Sequence, residues 1–373
     1  MSPRQGRQTP EADPPSAQPQ RRATLKLVAE SLGVSITTVS NAFSRPDQLS
    51  EALRERVLAE AARLGLSSPD AAARSLRLGR SASIGVMYTD RLSYAFSDPG
   101  AVLFLQGVSR VCEANGQQLV LIPSTSSADA AATAVGRSTI DGLIVYSVAD
   151  DDPVLAAAID RRMPLVLVDQ PRIDSLPWIG VDDEKACRAL AEHVVSLGHR
   201  RLAVIATEFD RDRAGGRATK ARQEAITFST TAARLRGYRA AVEKAGLSWQ
   251  GVPVVEAREN SEDNGYRLAT ALLRVKNRPT AILAMTDQLA LGALRAAERR
   301  GFIVPDDVSI AGYDDIPAAR VLTTVSQPHE EKGRRAAEQL LSLLAGRTSP
   351  PRHQELATTL RVRVTTGAPP RSE

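Results

Sequence analysis

Four side chains near the start of this chain, Ile36, Thr37, Ser40 and Asn41, are of types that can read the edges of base pairs. An Asn amide pairs with adenine, and Thr or Ile packs against the methyl of thymine. Other chemistries find little support in the residues. The two cysteines, Cys112 and Cys187, belong to no CxxC or Cys/His cluster, so buried free thiols are expected in place of a disulfide framework or zinc site. The four histidines, His193, His199, His329 and His353, are scattered, and none lies in the HExxH context of a metal helix. There is no nucleophile elbow, phosphate loop or Cys/His pair. Binding without catalysis is therefore expected, with no cofactor and no metal.

The elements that must present those four residues are legible around them. Leu25, Val28, Ala29 and Leu32 recur at helical spacing until Gly33 breaks the run. Ser35 is a natural N-cap for a second helix, which carries Val39 and Phe43 on its inner face and leaves the four residues outward. Two short helices joined by a turn with Gly form a helix-turn-helix, whose second helix enters the major groove. A plain helical hairpin inside a larger domain has the same local signature, and the hairpin alone leaves both readings open. Ser50 and Glu51 begin a third helix through Val57, Leu58, Ala61 and Leu64 that stops at Gly65. In residues 67–79, Asp70 can cap about two helical turns with little apolar surface, a segment expected to fold only against a partner.

From Ser83 the texture changes. Short apolar strands at 84–88, 118–122, 142–146 and 165–169 alternate with helices, notably 101–115 and 153–161. The pattern then restarts, with helices at 184–197, 233–245 and 263–275 and strands at 202–206, 280–284 and 308–311. Continuous apolar strands alternating with helices indicate parallel sheets covered on both faces, and two such units in series predict two doubly wound lobes with a cleft between them. Residues 208–230 resist this scheme, being charged, Gly-containing and poor in apolar periodicity, and read as a long mobile loop by the cleft.

Length and charge agree with a small domain joined to a large one. Of 373 residues, 43% are hydrophobic, enough for a sizeable core, with no run long enough to span a membrane. Residues 1–22, rich in Pro, Gln and Arg, lack the apolar centre of a secretory signal and read as a disordered tail, so a cytoplasmic protein is expected. The net charge of +5 is unevenly placed. Residues 1–80 hold twelve basic and eight acidic residues, whereas the remainder holds 36 and 35. The excess thus lies on the segment that would meet phosphates.

As a whole the chain resembles the lac repressor (LacI/GalR) family of bacterial transcription regulators from Thr24 to about Thr366. The resemblance rests on Leu25, Val28, Ala29, Gly33, Val34, Ser35, Thr38, Val39 and Ser40 in the hairpin, and on Pro69, Ala73, Arg74, Ser75 and Leu76 at the hinge position. It continues in LGHRRLAV at 197–204, TDQLALG at 286–292, VSIAGYDD at 308–315 and LTTV at 322–325. It implies an all-α helix-turn-helix headpiece with a hinge helix, followed by an α/β core of two doubly wound parallel-sheet lobes like a periplasmic binding protein. The implied organisation is a headpiece at 23–66, a hinge at 67–81, an N-terminal lobe of 82–181 and 327–346, a C-terminal lobe of 182–326 and 347–366, and a disordered tail at 367–373.

The resemblance also implies DNA contacts by Thr24, Ser35, Ile36, Thr37, Thr38, Ser40, Asn41, Ser44, Ala73 and Leu76, with Leu76 a wedge in the minor groove. It implies effector contacts by Tyr146, Asp169, Arg234, Thr286, Asp287 and Asp314, a set of carboxylates and a guanidinium suited to a polyhydroxy ligand. Asp287 reads equally as the acid of a helix N-terminus. Departures from the family pattern stand at Leu27, Asn41, Ser44, Leu66, Asp70 and Thr286. The partners implied are double-stranded operator DNA, a small-molecule effector and a second copy of the chain as a homodimer. A solute-binding protein of the periplasmic fold is the competing reading, but it requires a secretory signal and leaves Thr24–Leu66 without purpose.

Overall fold

The computed structural model describes residues 24–44, 48–66, 81–88, 92–123, 133, 140–347 and 352–370. The chain divides into two compact units, Met1–Ser81 and Ala82–Glu373. In the first, helices α1 (Leu25–Leu32), α2 (Ile36–Ser44) and α3 (Glu51–Arg63) close on Val28, Val39, Val57 and Ala61, all buried. Thr24 caps α1, and Gly33 ends it with φ 64°, where a side chain would be strained. Ser35 caps α2, its hydroxyl accepting from the Thr38 amide at 3.0 Å. Ser50 sits at the N-cap of α3 but its side chain makes no capping bond. Ala73 and Leu76, and with them the hinge helix, lie outside the described residues.

The second unit opens with β1 (Ser83–Tyr88), α4 (Tyr94–Ser97), α5 (Pro99–Ala114), β2 (Gln118–Pro123), β3 (Gly142–Tyr146), α6 (Pro153–Asp160), β4 (Leu165–Val168) and β5 (Trp178–Val181). It continues with α7 (Asp183–Ser196), β6 (Leu202–Ala206), β7 (Gly216–Arg217), α8 (Lys220–Glu224), α9 (Ser229–Lys244), β8 (Val254–Glu256), α10 (Glu262–Leu273), β9 (Ala281–Ala284), α11 (Asp287–Arg299) and β10 (Ser309–Asp314). Then come β11 (Thr323–Ser326), α12 (His329–Leu344), β12 (His353–Leu356) and β13 (Thr359–Arg361). The strands form two sheets, ordered β12-β5-β4-β3-β1-β2 and β13-β11-β10-β9-β6-β8-β7. Pairing is parallel except for β7 and β13, each antiparallel at an edge.

Within each sheet five strands follow the same doubly wound plan. In the first lobe β1 lies between β2 and β3, and in the second β6 lies between β8 and β9, so the strand order reverses beside β1 and beside β6. Such reversals leave a crevice at the carboxyl ends of the strands. Strands β1, β3, β4 and β9 are buried along their whole length, consistent with helices on both faces.

Three expectations are corrected. Residues 208–230 carry β7 and α8, because Arg222 holds both Asp210 and Glu256 and so folds the segment onto β8. Residues 347–366 do not all belong to the C-terminal lobe: β12 pairs with β5 in the first sheet, and only β13 joins the second. Residues 367–370, expected as tail, are held in place, since the Gly367 carbonyl accepts from buried His199 at 2.9 Å and its amide donates to Ser309.

Helices α5 and α12 pack so closely that their backbones touch through two glycines. A Cβ at Gly107 would lie 2.0 Å from the Glu330 carbonyl oxygen, and one at Gly333 would lie 2.1 Å from that of Phe104. This contact seats the first turn of α12, and with it Gln327, His329 and Lys332, against the first lobe.

Candidate functional site

Two places in the chain gather side chains able to bind other molecules, one in each unit. On α2, Ile36 is half exposed, and Ser35 and Thr37 are also exposed, while Val39 and Ala42 point into the core. Thr38, Ser40 and Asn41 are partly buried, and Thr24 is exposed at the start of α1. The Ser35 and Thr38 hydroxyls lie 2.8 Å apart and serve the cap. Ser44 ends the helix. The Asn41 amide donates to the Gln48 side chain at 3.2 Å, which brings to this face a residue that sequence reasoning missed. Arg54 donates to the Ala42 carbonyl near the end of α2, and Ser31 on α1 donates to Glu60 on α3. The face is thus a rigid helix with small polar and apolar groups outward, the composition that reads base edges.

In the second unit a cavity of about 140 Å³ opens where the carboxyl ends of both sheets converge. Tyr88 ends β1, Tyr146 ends β3, Asp169 follows β4, Thr207 follows β6, Thr286 follows β9 and Asp314 ends β10. Four of the lining residues hold a left-handed backbone without being glycine: Ser147 at φ 51°, Asp169 at 60°, Arg213 at 50° and Asp314 at 121°. Backbone of this kind is costly and concentrates where side chains must be aimed. On the first-lobe side, Phe104 stacks on Tyr146 at 4.2 Å, and Tyr88 meets Tyr146 edge-on at 5.3 Å.

A chain of hydrogen bonds runs along the floor of the cleft from one lobe to the other. Fully buried Lys332 donates to Asp169 and to the Gln327 side-chain oxygen, each at 2.5 Å. The Gln327 amide donates in turn to Asp314 at 2.5 Å. Gln170 accepts from the Thr230 amide at 2.7 Å and Ser229 donates to Asp150 at 3.2 Å, two further bonds across the lobes. Lys332 is thus accommodated in the core by two side-chain partners, Asp169 and Gln327.

Opposite, Arg234 on α9 is buried against the face of Tyr313, its guanidinium 4.0 Å from the ring centre. It donates to Asp183 at 2.8 Å and to the Met285 carbonyl at 2.7 Å. Thr286 caps α11 and donates to Asn260 at 2.6 Å. Thr207 and Thr231 share a hydroxyl contact at 2.9 Å.

Of the six residues expected to meet an effector, Tyr146, Asp169, Arg234, Thr286 and Asp314 line this cavity. Asp287 does not, and its expected ligand role is corrected. It is fully buried beneath β10, accepting from the Thr324 hydroxyl at 2.7 Å and from the Ile316 amide at 3.0 Å. Burial first, and then the Asp314 charge, push its carboxyl up to about 8. It ties α11 to the turn after β10 and so supports the backbone of Asp314.

Several lining residues were not anticipated from the sequence, among them Tyr88, Asp98, Glu208, Arg213, Phe228 and His329. The rule that ligands lie beyond the carboxyl ends of parallel strands would have found Tyr88 and Thr207. Gln327, which directly follows β11, falls under the same rule, whereas His329 gave no such signal because it reaches the cleft on α12. Among the described residues no cluster of His, Cys, Asp and Glu could hold a metal ion, and no helix is long and apolar enough to cross a membrane.

Compared with known proteins, residues 191–366 match the family described as a periplasmic binding protein-like domain. An HTH-type transcriptional regulator of Mycobacterium tuberculosis is 42% identical over 365 residues, 95% of this chain and 99% of the relative. A LacI-family transcriptional regulator from Corynebacterium glutamicum superposes with a TM-score of 0.71 at 34% identity, over 93% of this chain and 99% of that one. The lac repressor dimer bound to operator and the anti-inducer ONPF superposes with a TM-score of 0.72 at 27% identity, over 93% and 100%.

Proposed function

The chain belongs to the LacI family of transcriptional regulators, and from that premise we propose that it represses transcription as a homodimer on a near-palindromic operator, under the control of a small polar effector held in the cleft. The observation that carries this reading is the pairing of two binding surfaces in one chain: an exposed recognition face on α2, and a cleft whose two walls come from two lobes. The lac repressor structure, a dimer on its operator, supports the oligomeric part of the reading.

In this reading Ile36, Thr37, Ser40 and Asn41 contact base edges, each good contact worth about 1–3 kcal/mol of discrimination. Thr24, Ser35, Thr38 and Ser44 flank them towards the phosphates, and Ala73 and Leu76 of the hinge act in the minor groove. Two headpieces then read two half-sites related by the dimer axis. Tyr146, Asp169, Arg234, Thr286 and Asp314 hold the effector. The effector changes the relative position of the two lobes, because Asp169 and Asp314 stand on different lobes and are linked through Lys332 and Gln327. A coupling of about 1–3 kcal/mol between the two ligands suffices for such a switch.

The test is selection from a random duplex pool on the full-length protein, beside an Ile36→Ala, Asn41→Ala variant. An enriched palindrome that the variant fails to enrich supports the reading. Enrichment of the same sequence by both proteins, or of none by either with and without added cell metabolites, would overturn it.

A further inference from the structure

We propose that Gln48 is a positioning residue for operator reading, holding the side-chain amide of Asn41 in the orientation that matches adenine in the major groove. This rests on α2 being the recognition helix. Asn41 lies towards the end of α2, and Gln48 lies in the connection that leads to α3. The Asn41 amide donates to the Gln48 side-chain oxygen at 3.2 Å. Both ends of this bond are held by the small headpiece core. Arg54 on α3 donates to the Ala42 carbonyl at 3.4 Å, next to Asn41, and Leu49, next to Gln48, packs against the core as Phe43 does.

Stability is a poor account of this bond. Gln48 is exposed, and a side-chain bond at the surface replaces bonds to water for little net gain. What the bond decides is which way the amide faces. The terminal amide of a free Asn rotates broadly between two near-equivalent settings, in which the carbonyl and the NH2 exchange places. The Gln48 side-chain oxygen only accepts, so it fixes the NH2 of Asn41 on its own side, and exchanging the ends would set two oxygens against each other. Asn41 then keeps its carbonyl oxygen and one N–H, and no other described residue engages either. An acceptor beside a donor is the complement of adenine, whose N6 donates and whose N7 accepts. Fixing that edge before contact also spares the side chain part of the ordering cost of binding. In a groove emptied of water the bond gains strength, so the orientation is held most firmly where it is used.

The experiment is selection from a random duplex pool on the full-length protein, followed by competition binding of single-base variants of the enriched site. The proteins compared are the parent, Asn41→Ala, Gln48→Met, Gln48→Glu and the double variant Asn41→Ala, Gln48→Met, with thermal melting of each to confirm folding. The expected result is an adenine at one position of each half-site, lost in Asn41→Ala and preferred about tenfold less in Gln48→Met, one hydrogen bond's worth, with other positions unchanged. Gln48→Glu keeps an acceptor for the Asn41 amide and should keep the adenine preference, while its charge weakens binding to all sequences alike. In the Asn41→Ala background Gln48→Met should change nothing, because a positioning residue has no effect without the residue it positions. A loss there as large as in the parent means that Gln48 itself contacts DNA, and it overturns the proposal. So does an undiminished adenine preference in folded Gln48→Met, or the loss in Asn41→Ala of no position or of one that is not adenine; in each case sequence reading by the headpiece stands. If the parent enriches no sequence, with and without added cell metabolites, the reading of α2 itself fails.

Discussion

At the scale of single residues, the two binding surfaces use opposite strategies. On α2 the side chains proposed to meet DNA are exposed at Ile36 and Thr37 and half-buried at Ser40 and Asn41, and they are positioned by a small core, so trimming Ile36 should leave folding intact. Ile36→Ala is expected to weaken operator binding by about 1–3 kcal/mol with little change in melting temperature, as measured by fluorescence anisotropy and a thermal scan. In the cleft the working side chains are themselves buried, and their support is electrostatic. Asp287 shows the consequence for pH. Its carboxyl is raised to about 8 in the folded chain against about 4 in an unfolded one. The folded state therefore binds this proton more tightly, and the resulting stability, complete below pH 4, is lost as the pH rises through about 8. Asp287→Asn removes the titration, so urea midpoints from pH 5 to pH 9 should fall less steeply for the variant than for the parent. Equal slopes would show that Asp287 does not hold its proton in the native state.

At the scale of elements, position is set by close contact and by one anchored insertion. The glycines at 107 and 333 let α5 and α12 meet backbone to backbone, and α12 delivers His329 and Lys332 to the cleft. Gly333→Ala forces the helices apart and should cost about 1–3 kcal/mol, read as a lower urea midpoint at unchanged slope. The 208–230 segment depends on Arg222, which joins Asp210 on the segment to buried Glu256 on β8. Arg222→Leu leaves two carboxylates facing each other without a cation. Trypsin is then expected to cut at Arg211, Arg213, Arg217 or Lys220 faster than in the parent. Sequence periodicity missed β7 and α8 because the order of this segment comes from a charge network with a distant strand, which leaves no local repeat.

At the scale of the whole molecule, a two-lobed core carries a cleft whose walls are bridged by a buried ammonium, and a separate three-helix unit carries the recognition face. If the effector and the operator bind to one conformational equilibrium, their coupling must be reciprocal. The operator should therefore alter effector affinity by the same factor, about 5–150-fold, as the effector alters operator affinity, measured by titrating each ligand with the other present and absent. Lys332→Met should diminish both factors equally, because it cuts the chain of bonds from Asp169 to Gln327 while leaving α2 untouched.

The sequence by itself determined the order and kind of most elements. Apolar residues spaced at three and four mark α1, α7 and α10, apolar runs of four or five mark β1, β3, β4 and β6, and Gly33 marks the turn of the hairpin. These signals are local, each set by a few consecutive residues and their backbone preferences. It also pointed to five of the cavity's residues through the family resemblance, two of them, Thr286 and Asp314, within its ordered motifs. What only the tertiary structure decided depends on partners far along the chain. Strands β12 and β13 are short, and five of their seven residues are polar, and each exists because an exposed strand edge accepts it, which is why one joins the first sheet and the other the second. Asp287 and Asp314 are alike in sequence as carboxylates at element ends. They part because Gly312 leaves room for Asp287 to sit beneath β10, a Cβ there falling 2.2 Å from its carboxylate oxygen, whereas the left-handed backbone at Asp314 turns that side chain into the cavity.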